Sequence, residues 1–500
     1  MRPLNTGKFR KQDGQVIIIV ALLLMALIAS VGLAVDSGFG YMIKAKLNAA
    51  TDAAGIAAAV AVTQGSTRAA QTSNAQLAAA NFFYVNYPVT GYLGSTPTFL
   101  APTITFSTDK PGQIIIDTPA SASVPVTFMR AMGFNLLTVA AASQTIRNDL
   151  DLAFVVDTTG SMNTGTVPTK VKQGAITFIN KFSPNDDRVA LIQFAYGAQV
   201  RDQIRPTQRG FDLTSMTTHI NAFTFDGSTN SAEGMWNARD QLNNKITGNR
   251  SSLRVIVFLS DGAPNSFSSF FDFRNASDCT QSDHVTPLAG TISTPDTQGP
   301  YNPGFHWTDG LRDPYKVDAD PDNGDAPLGG TSTKCWQDND IANTAGVPLS
   351  HSSYITKLPN WYNAHNDPAN PNDSSKREFQ IVTNTPRAVT NNTSSPAMAW
   401  QNVNRASRNL LEAMATKSRQ EGIFIFTLGL DGTGLSTPSG PDSETGDQVL
   451  KCMANTADAL PRCVSAGAGQ PVGIYCHAVT ADDLKPCFEK LASAILRISK

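Results

Sequence analysis

The chain has 500 residues, of which 41% are hydrophobic and 16% charged, and its formal net charge at pH 7 is −2. That length exceeds one compact domain, so two or three folded units are expected. A net charge this close to zero gives no indication of nucleic acid as a partner or of an acidic substrate.

The first predicted element is a membrane-spanning helix over residues 16–35, an uncharged run with the sequence VIIIVALLLMALIASVGLAV. A helix of that length reaches about 30 Å, the thickness of the hydrocarbon core of a bilayer. Four Lys or Arg residues precede the run, which predicts a cytoplasmic segment over 1–15 and an extracytoplasmic remainder. A cleaved signal peptide is the alternative, although the apolar core of such peptides is usually shorter.

The next stretch, residues 41–62, is rich in alanine and contains no proline, which predicts that the helix continues as a stalk. Residues 14–62, centred on GLAVDSGFGYMIKAKLNAATDAAGIAAA, resemble the N-terminal region of TadE/TadG-like proteins of bacterial Flp (Tad) pilus assembly. Ile19 stands where prepilin processing after Gly14 would place a glutamate, so the TadG-like branch fits better than the pseudopilin-like branch. The resemblance implies a single-pass protein of a bacterial cell membrane, with a C-terminal domain in the periplasm or at the cell surface.

Residues 36–148 are predicted to hold that stalk and a small α+β region. A helix is expected over 74–87, and alternating apolar residues predict strands over 113–117, 122–128 and 137–146. This part contains no catalytic constellation. We interpret it as a spacer or an assembly surface.

Residues 149–500 are predicted to form an α/β domain. LDLAFVVD ends at Asp157, and three further hydrophobic runs, VALIQF, RVIVFL and GIFIFTLGL, read as buried strands. Helical patterns lie over 171–182 and 232–242, and a last one follows the capping sequence from Thr480 to Asp483. This alternation predicts a doubly wound, mostly parallel sheet.

Oxygen-bearing side chains follow several of these strands. Asp157, Thr159 and Ser161 lie in a turn after the first strand, Thr229 precedes a helix, and Asp261 follows RVIVFL. Ligands of open α/β sheets bind at the carboxyl ends of the strands, and hard cations such as Mg²⁺ prefer oxygen ligands. An isolated D-x-T-x-S is a weak indication, because Asp, Ser and Thr are common in turns.

The order of these elements resembles the von Willebrand factor A (vWA) fold, a Rossmann-like sheet. Its metal-ion-dependent adhesion site (MIDAS) uses D-x-S-x-S, a threonine from a second loop and an aspartate from a third. Carried over one by one, the metal ligands are Asp157, Thr159, Ser161, Thr229 and Asp261, with Thr159 in place of the commoner serine. The resemblance implies Mg²⁺, or Mn²⁺ or Ca²⁺, and a protein partner that offers an acidic side chain to the ion. A site that only caps loops is the alternative.

An insertion over about 265–397 is rich in Asn, Asp, Pro, Ser and Thr and holds Trp307, Trp336 and Trp361. Its aromatic content predicts that it is ordered and has a small core of its own. A disulfide between Cys279 and Cys335 could stabilise it. A specificity or lid role over the metal is one hypothesis and a passive loop is the other.

Three aspartates within the insertion alternate like the ligands of a calcium-binding loop, and they are Asp318, Asp320 and Asp322. The glycine that such a loop requires is one position late here, and its final glutamate is missing. The sequence therefore favours a solvated acidic turn over a calcium site.

The six cysteines lack zinc-site spacing, so disulfides in an oxidising compartment are expected. HExxH, GxSxG and P-loop motifs are missing from the sequence, which predicts a protein that is not an enzyme and has no small-molecule substrate. We expect an adhesion or interaction protein of Tad/Flp pilus assembly or anchoring. The alternative is a vWA binding module that acts with an ATPase or another partner.

Overall fold

The computed structural model describes residues 13–62, 68–107, 113–248, 250–251, 253–273, 280–281, 285–294, 311, 313–317, 355–393, 396–431 and 435–498. The helices are α1 Asp13–Ala61, α2 Arg68–Asn86, α3 Val167–Ile179, α4 Leu213–Asn221, α5 Ser231–Asp240, α6 Pro396–Gln420, α7 Gly446–Ala454, α8 Pro461–Ala466 and α9 Leu484–Ile498. The strands are β1 Thr96–Phe99, β2 Thr103–Phe106, β3 Gln113–Pro125, β4 Leu136–Asn148, β5 Leu150–Asp157, β6 Arg188–Phe194, β7 Ala198–Asp202, β8 Leu253–Ser260, β9 Ser266–Ser269, β10 Asp272–Phe273, β11 Gly290–Ser293, β12 Ile355–Lys357, β13 Ile423–Leu430 and β14 Tyr475–Ala478.

The chain divides into two compact units, of which unit 1 comprises residues 1–109 and 113–147. Its helix α1 runs without a break for 49 residues, from the apolar run into the alanine-rich stretch. Among the described residues, α1 is the one helix long and apolar enough to cross a membrane. The side chains of its apolar run are exposed, as in Ile17 (71%) and Leu23 (63%), which suits a helix surrounded by lipid.

The second half of α1 belongs to the core of unit 1. Its buried residues recur every three or four positions, at Ile43, Leu47, Ala50 and Ala54, so they form one stripe of the helix. That stripe packs against α2 and β3. The small alanine side chains let these elements approach the helix closely.

Strand β3 is the centre of the unit 1 sheet. It is one 13-residue strand with alternate residues buried, where the sequence predicted two strands over 113–117 and 122–128. Strands β1 and β2 pair with it antiparallel, and β4 also pairs with it. The alternation follows from the two-residue repeat of a strand, which turns one face to the helices.

Unit 2 comprises residues 110–112 and 148–500. Its six-stranded sheet has the order β14-β13-β8-β5-β6-β7, and every pairing is parallel except that of β7, an antiparallel edge strand. Strands β5, β6 and β8 are hydrophobic and buried over nearly their whole length, as expected where helices cover both faces of a sheet. The predicted fold class, an α/β domain with a doubly wound, mostly parallel sheet, is confirmed.

Helices cover both faces of this sheet. One face packs against α3, α4 and α9 around residues such as Phe154, Phe178 and Phe488. The other packs against α5, α6 and α7 around residues such as Phe258 and Met414. The capping box predicted at Thr480 and Asp483 is present at the start of α9.

The described part of the insertion belongs to the main core of unit 2, whereas the small core predicted for the insertion falls largely outside the described residues. Phe267, Ile292, Tyr362 and Ile381 share the core cluster of α5, α6 and the sheet. These residues of the insertion therefore extend the main core of unit 2. Several residues named above lie outside the described part of the chain, and they are Cys279, Cys335, Trp307, Trp336, Asp318, Asp320 and Asp322.

Two disulfides join the other four cysteines, Cys452 to Cys463 and Cys476 to Cys487. The first links α7 to α8, and the second links the edge strand β14 to α9. The expectation of disulfides is confirmed for these residues.

Candidate metal centre

Two neighbouring strands end at the candidate centre. Asp157 is the last residue of β5, and Asp261 follows the last residue of β8, the strand paired with β5. Parallel strands bring their carboxyl ends to one edge of the sheet. Both carboxylates are buried, with Asp157 at 0% and Asp261 at 2% exposure.

Each carboxylate oxygen of Asp157 accepts one hydrogen bond. The backbone N–H of Thr159 donates to Oδ1 at 2.9 Å, and the hydroxyl of Ser260 donates to Oδ2 at 2.6 Å. The first bond shapes the turn after β5, and the second ties that turn to the end of β8. Asp157 is thus held in one position by both strands.

A chain of hydroxyl groups connects the turn to Asp261. The hydroxyls of Thr159 and Ser161 lie 2.9 Å apart, and the Ser161 hydroxyl donates to Oδ1 of Asp261 at 2.9 Å. Thr159 is buried, whereas Ser161 is exposed. The cluster therefore opens to the protein surface at Ser161.

Thr229 is held in place through its backbone. Its N–H donates to the side chain of Asn265 at 2.9 Å, and its carbonyl accepts from the N–H of Asn265 at 3.2 Å. Asn230, the next residue, caps α5 through its Oδ1 and donates from Nδ2 to Ser268 at 2.9 Å. The start of the insertion therefore braces the loop that carries Thr229.

The loop before Thr229 packs closely on the turn after β5. The N–H of Gly160 donates to the carbonyl of Gly227 at 3.0 Å. Gly227 has φ +89°, and a Cβ there would lie 2.5 Å from the ring of Tyr196. Glycine is thus needed at this position for both its conformation and its size.

The two carboxylates repel each other. Burial, and then the charge of Asp261, raise the pKa of Asp157 to about 7, although hydrogen bonds from Ser260 and Thr159 oppose the shift. A pair of buried carboxylates is unfavourable unless a cation or a proton neutralises it. The donor set, made of carboxylate and hydroxyl oxygens only, suits a hard divalent cation.

The structure brings four of the five predicted residues into one hydrogen-bonded group: Asp157, Thr159, Ser161 and Asp261. In the described part of the chain, the hydroxyl of Thr229 makes no direct hydrogen bond to these four. Thr229 is nevertheless joined to them through the contact of Gly160 with Gly227 two residues earlier.

Two supporting residues were not predicted, Ser260 and Asn265. Ser260 is the first residue of the Ser-Asp-Gly sequence that includes Asp261, and its position at the end of a buried strand could have indicated its role. Asn265 lies in a polar stretch, and nothing in the sequence distinguishes it from its neighbours.

The sequence profile of the von Willebrand factor type A domain matches residues 151–302. The chain therefore contains a vWA domain. The match begins in β5 and ends within the insertion, while β13 and β14, later in the chain, complete the same sheet. A search of curated proteins found no match.

Several solved structures share a distant similarity with this chain. The PilB minor pilin from Streptococcus sanguinis has 12% identity and a TM-score of 0.35, over 82% of this chain and 80% of the pilin. The vWF domain of the type V pili tip protein Mfa5 from Porphyromonas gingivalis has 12% identity and a TM-score of 0.34, over 71% of this chain and 98% of that domain. The pilus adhesin SpaC from Lactobacillus rhamnosus GG has 12% identity and a TM-score of 0.35, over 80% of this chain but only 35% of the adhesin. These identities and TM-scores are too low to support a conclusion about function.

Proposed function

We propose that this chain is a membrane-anchored, extracytoplasmic vWA protein that binds a divalent cation and uses it to hold an acidic side chain of a protein partner. The ligands are Asp157, Thr159, Ser161, Thr229 and Asp261, and the ion is Mg²⁺, or Mn²⁺ or Ca²⁺. The single observation that carries the proposal is the cluster of two buried carboxylates bridged by hydroxyls at the ends of β5 and β8.

The chemistry of this cluster favours binding over catalysis. Two carboxylates cancel the formal charge of a divalent ion, but three hydroxyls add no charge, so the ion keeps an affinity for a further anionic oxygen. The exposed position of Ser161 gives a partner access to the ion. An Asp or Glu of another protein has the charge and the oxygen atoms that such an ion takes.

Two features support the location. Helix α1 has the length and composition of a membrane span, and the basic residues before it predict that unit 2 lies outside the cytoplasm. The disulfides Cys452–Cys463 and Cys476–Cys487 suit an oxidising compartment. The resemblance of residues 14–62 to TadG-like proteins leads us to propose a role in Tad/Flp pilus assembly or anchoring.

The metal site is tested by calorimetry of Mg²⁺, Mn²⁺ and Ca²⁺ binding to the full chain in phospholipid nanodiscs. We expect saturable binding by the wild type and none by Asp157→Asn or Asp261→Asn. Asp482→Asn is the matched control, since it removes an exposed carboxylate (79% exposed) and should leave binding unchanged. A folded wild type that binds none of the three ions would overturn the metal-dependent function and leave the vWA fold as a scaffold.

The partner is tested by cross-linking in native membranes, with Mg²⁺ or with a chelator. Proteins that are captured only with Mg²⁺, and are lost in Asp261→Asn, are the expected partners. Pilus-assembly components among them would support the Tad/Flp role. Capture that is the same with Mg²⁺ and with chelator, and the same in the wild type and in Asp261→Asn, would contradict the proposed use of the metal.

A further inference from the structure

Residues 128–136, which we call the 128–136 loop, comprise most of the connection from β3 to β4 in unit 1 together with Leu136, the first residue of β4. Three of its large apolar side chains are exposed: Phe128 at 44%, Phe134 at 54% and Leu136 at 60%. Met129–Met132 form a single turn of 3-10 helix, and Gly133 closes it with φ +89°. Exposed aromatic groups grouped on one short loop indicate a surface that contacts something other than water.

The loop is fixed to helix α1 by Asp36. The carboxylate of Asp36 accepts hydrogen bonds from three consecutive backbone N–H groups, those of Thr127 at 3.1 Å, Phe128 at 2.9 Å and Met129 at 2.7 Å. Asp36 is 4% exposed. The loop therefore has a defined level along the helix axis.

That level is the outer end of the apolar run. Gly32 faces Phe128 so closely that a Cβ at Gly32 would clash with the phenylalanine, and a Cβ at Gly40 would lie 2.7 Å from Leu137. Gly32 precedes Asp36 by four residues, which is about 6 Å of helix rise toward the membrane interior. Phe128 thus lies beside the last turn of the predicted span, within residues 16–35.

We propose that the 128–136 loop enters the outer leaflet of the bilayer next to α1, so that unit 1 has a second contact with the lipid surface. The inference rests on the proposed membrane anchor. At the level of Gly32 the outward side chains of α1 are exposed, as in Val31 (54%) and Leu33 (45%). A bilayer that surrounds these side chains also surrounds a loop packed against the helix at the same level.

The composition of the loop fits the boundary between hydrocarbon and headgroups. Phe128, Phe134 and Leu136 supply apolar area, which gains about 25 cal/mol per Å² when it leaves water. Arg130 is exposed in the same turn, and its long side chain reaches headgroup phosphates while its stem stays among apolar groups. An amphipathic segment of this kind is stable at the membrane surface.

The test measures the depth of three nitroxide labels on the full chain in phospholipid nanodiscs. Single cysteines replace Phe134, Ile28 within the span, or Leu100, a matched apolar residue of unit 1 that is 57% exposed. Accessibility to oxygen, which concentrates in lipid, is compared with accessibility to a water-soluble nickel complex. The unsubstituted chain, treated in the same way, sets the background labelling.

We expect the ratio of oxygen to nickel accessibility to be severalfold higher at positions 28 and 134 than at position 100. A label that is in lipid at 28 but in water at 134 would overturn the loop insertion and leave the anchor intact. A label in water at 28 would show that the anchor itself is wrong. All three replaced side chains are exposed, so the substitutions leave the packing of the unit intact.

Discussion

The imidazole of His365 lies flat on the indole of Trp236, with ring centroids 3.4 Å apart and planes 2° from parallel. Trp236 belongs to α5 and His365 to the insertion. His365 also contacts Glu233 through Nε2 at 2.8 Å, and the hydroxyl of Tyr362 donates to the same carboxylate. Helix α5 begins two residues after Thr229. By holding α5, the insertion therefore also fixes the loop that carries Thr229.

Replacing His365 should destabilise unit 2. Glu233 is fully buried, so His365→Ala removes a partner from a buried carboxylate as well as the ring stack, and we expect a loss of about 3 kcal/mol in the free energy of unfolding. The measurement is denaturant unfolding. His477→Ala is the control, since His477 contacts Asp431 at 3.4 Å in a partly exposed pair that contributes less than about 1 kcal/mol. Equal losses in both variants would contradict a bracing role for His365.

Gly227→Ala should destabilise the chain more than Gly165→Ala. Both glycines have positive φ, +89° and +52°, but a Cβ at Gly165 meets nothing within 4 Å, whereas one at Gly227 meets the Tyr196 ring. The shared conformational cost is about 1 kcal/mol, and the steric clash adds about 1–3 kcal/mol. Thermal unfolding measures the difference. We also expect weaker metal binding in Gly227→Ala and unchanged binding in Gly165→Ala. Unchanged binding in Gly227→Ala would show that this loop does not help to position the metal ligands.

Metal binding should weaken in acid. In the folded, metal-free chain, burial and Asp261 raise the pKa of Asp157 to about 7, so a proton competes with the ion below that pH. One pH unit below the pKa, at pH 6, the affinity for Mg²⁺ should be about tenfold lower than at pH 8. Calorimetry at the two pH values measures the ratio, and a ratio near one would contradict the raised pKa.

The same titration has an opposite effect on metal-free stability. The unfolded chain releases this proton near the ordinary value of 3.8 and the folded chain near 7. The contribution of Asp157 to the free energy of unfolding therefore falls as pH rises through that window and is constant above it. Asp157→Asn, unfolded in chelator at pH 5 and pH 8, should lack this part of the pH dependence.

Removing the Cys476–Cys487 disulfide should lower stability by about 3 kcal/mol, the loop-closure value for a separation of 11 residues. The measurement is denaturant unfolding of the double Ser variant under oxidising conditions. Adding a reductant to the wild type should cause at least the same loss. Thiol trapping in intact cells tests the compartment, because free thiols at 476 and 487 would contradict an extracytoplasmic location.

The sheet of unit 2 and the position of its candidate site were predictable because buried parallel strands are continuous apolar runs. LDLAFVVD and RVIVFL are of this kind, and they end at Asp157 and just before Asp261. The edge strand β7 was missed, because AQVRD is short and mostly polar. Helix α4 was missed for a similar reason, since only Met216 and Ile220 are buried in its nine residues.

Contacts between distant parts of the chain were beyond prediction. The hydrogen bond that the Thr229 N–H donates to the Asn265 side chain and the stack of His365 on Trp236 join residues 36 and 129 positions apart, respectively. The insertion was expected to have a small core of its own because its aromatic content indicated order. Phe267 and Tyr362 instead share a core cluster with residues of α5 and α6, and only the folded chain brings them together.

Helix α1 passes from the apolar run into the core of unit 1 without a break between residues 13 and 61. A helix of 49 residues is about 73 Å long, and it continues without interruption past the end of the predicted span. Transmembrane helices tilt to match the thickness of the surrounding bilayer. If α1 spans a membrane as proposed, a tilt of the span is passed on to unit 1 as a rotation of the same angle, so bilayer thickness is one of the factors that set the orientation of unit 1 relative to the membrane surface.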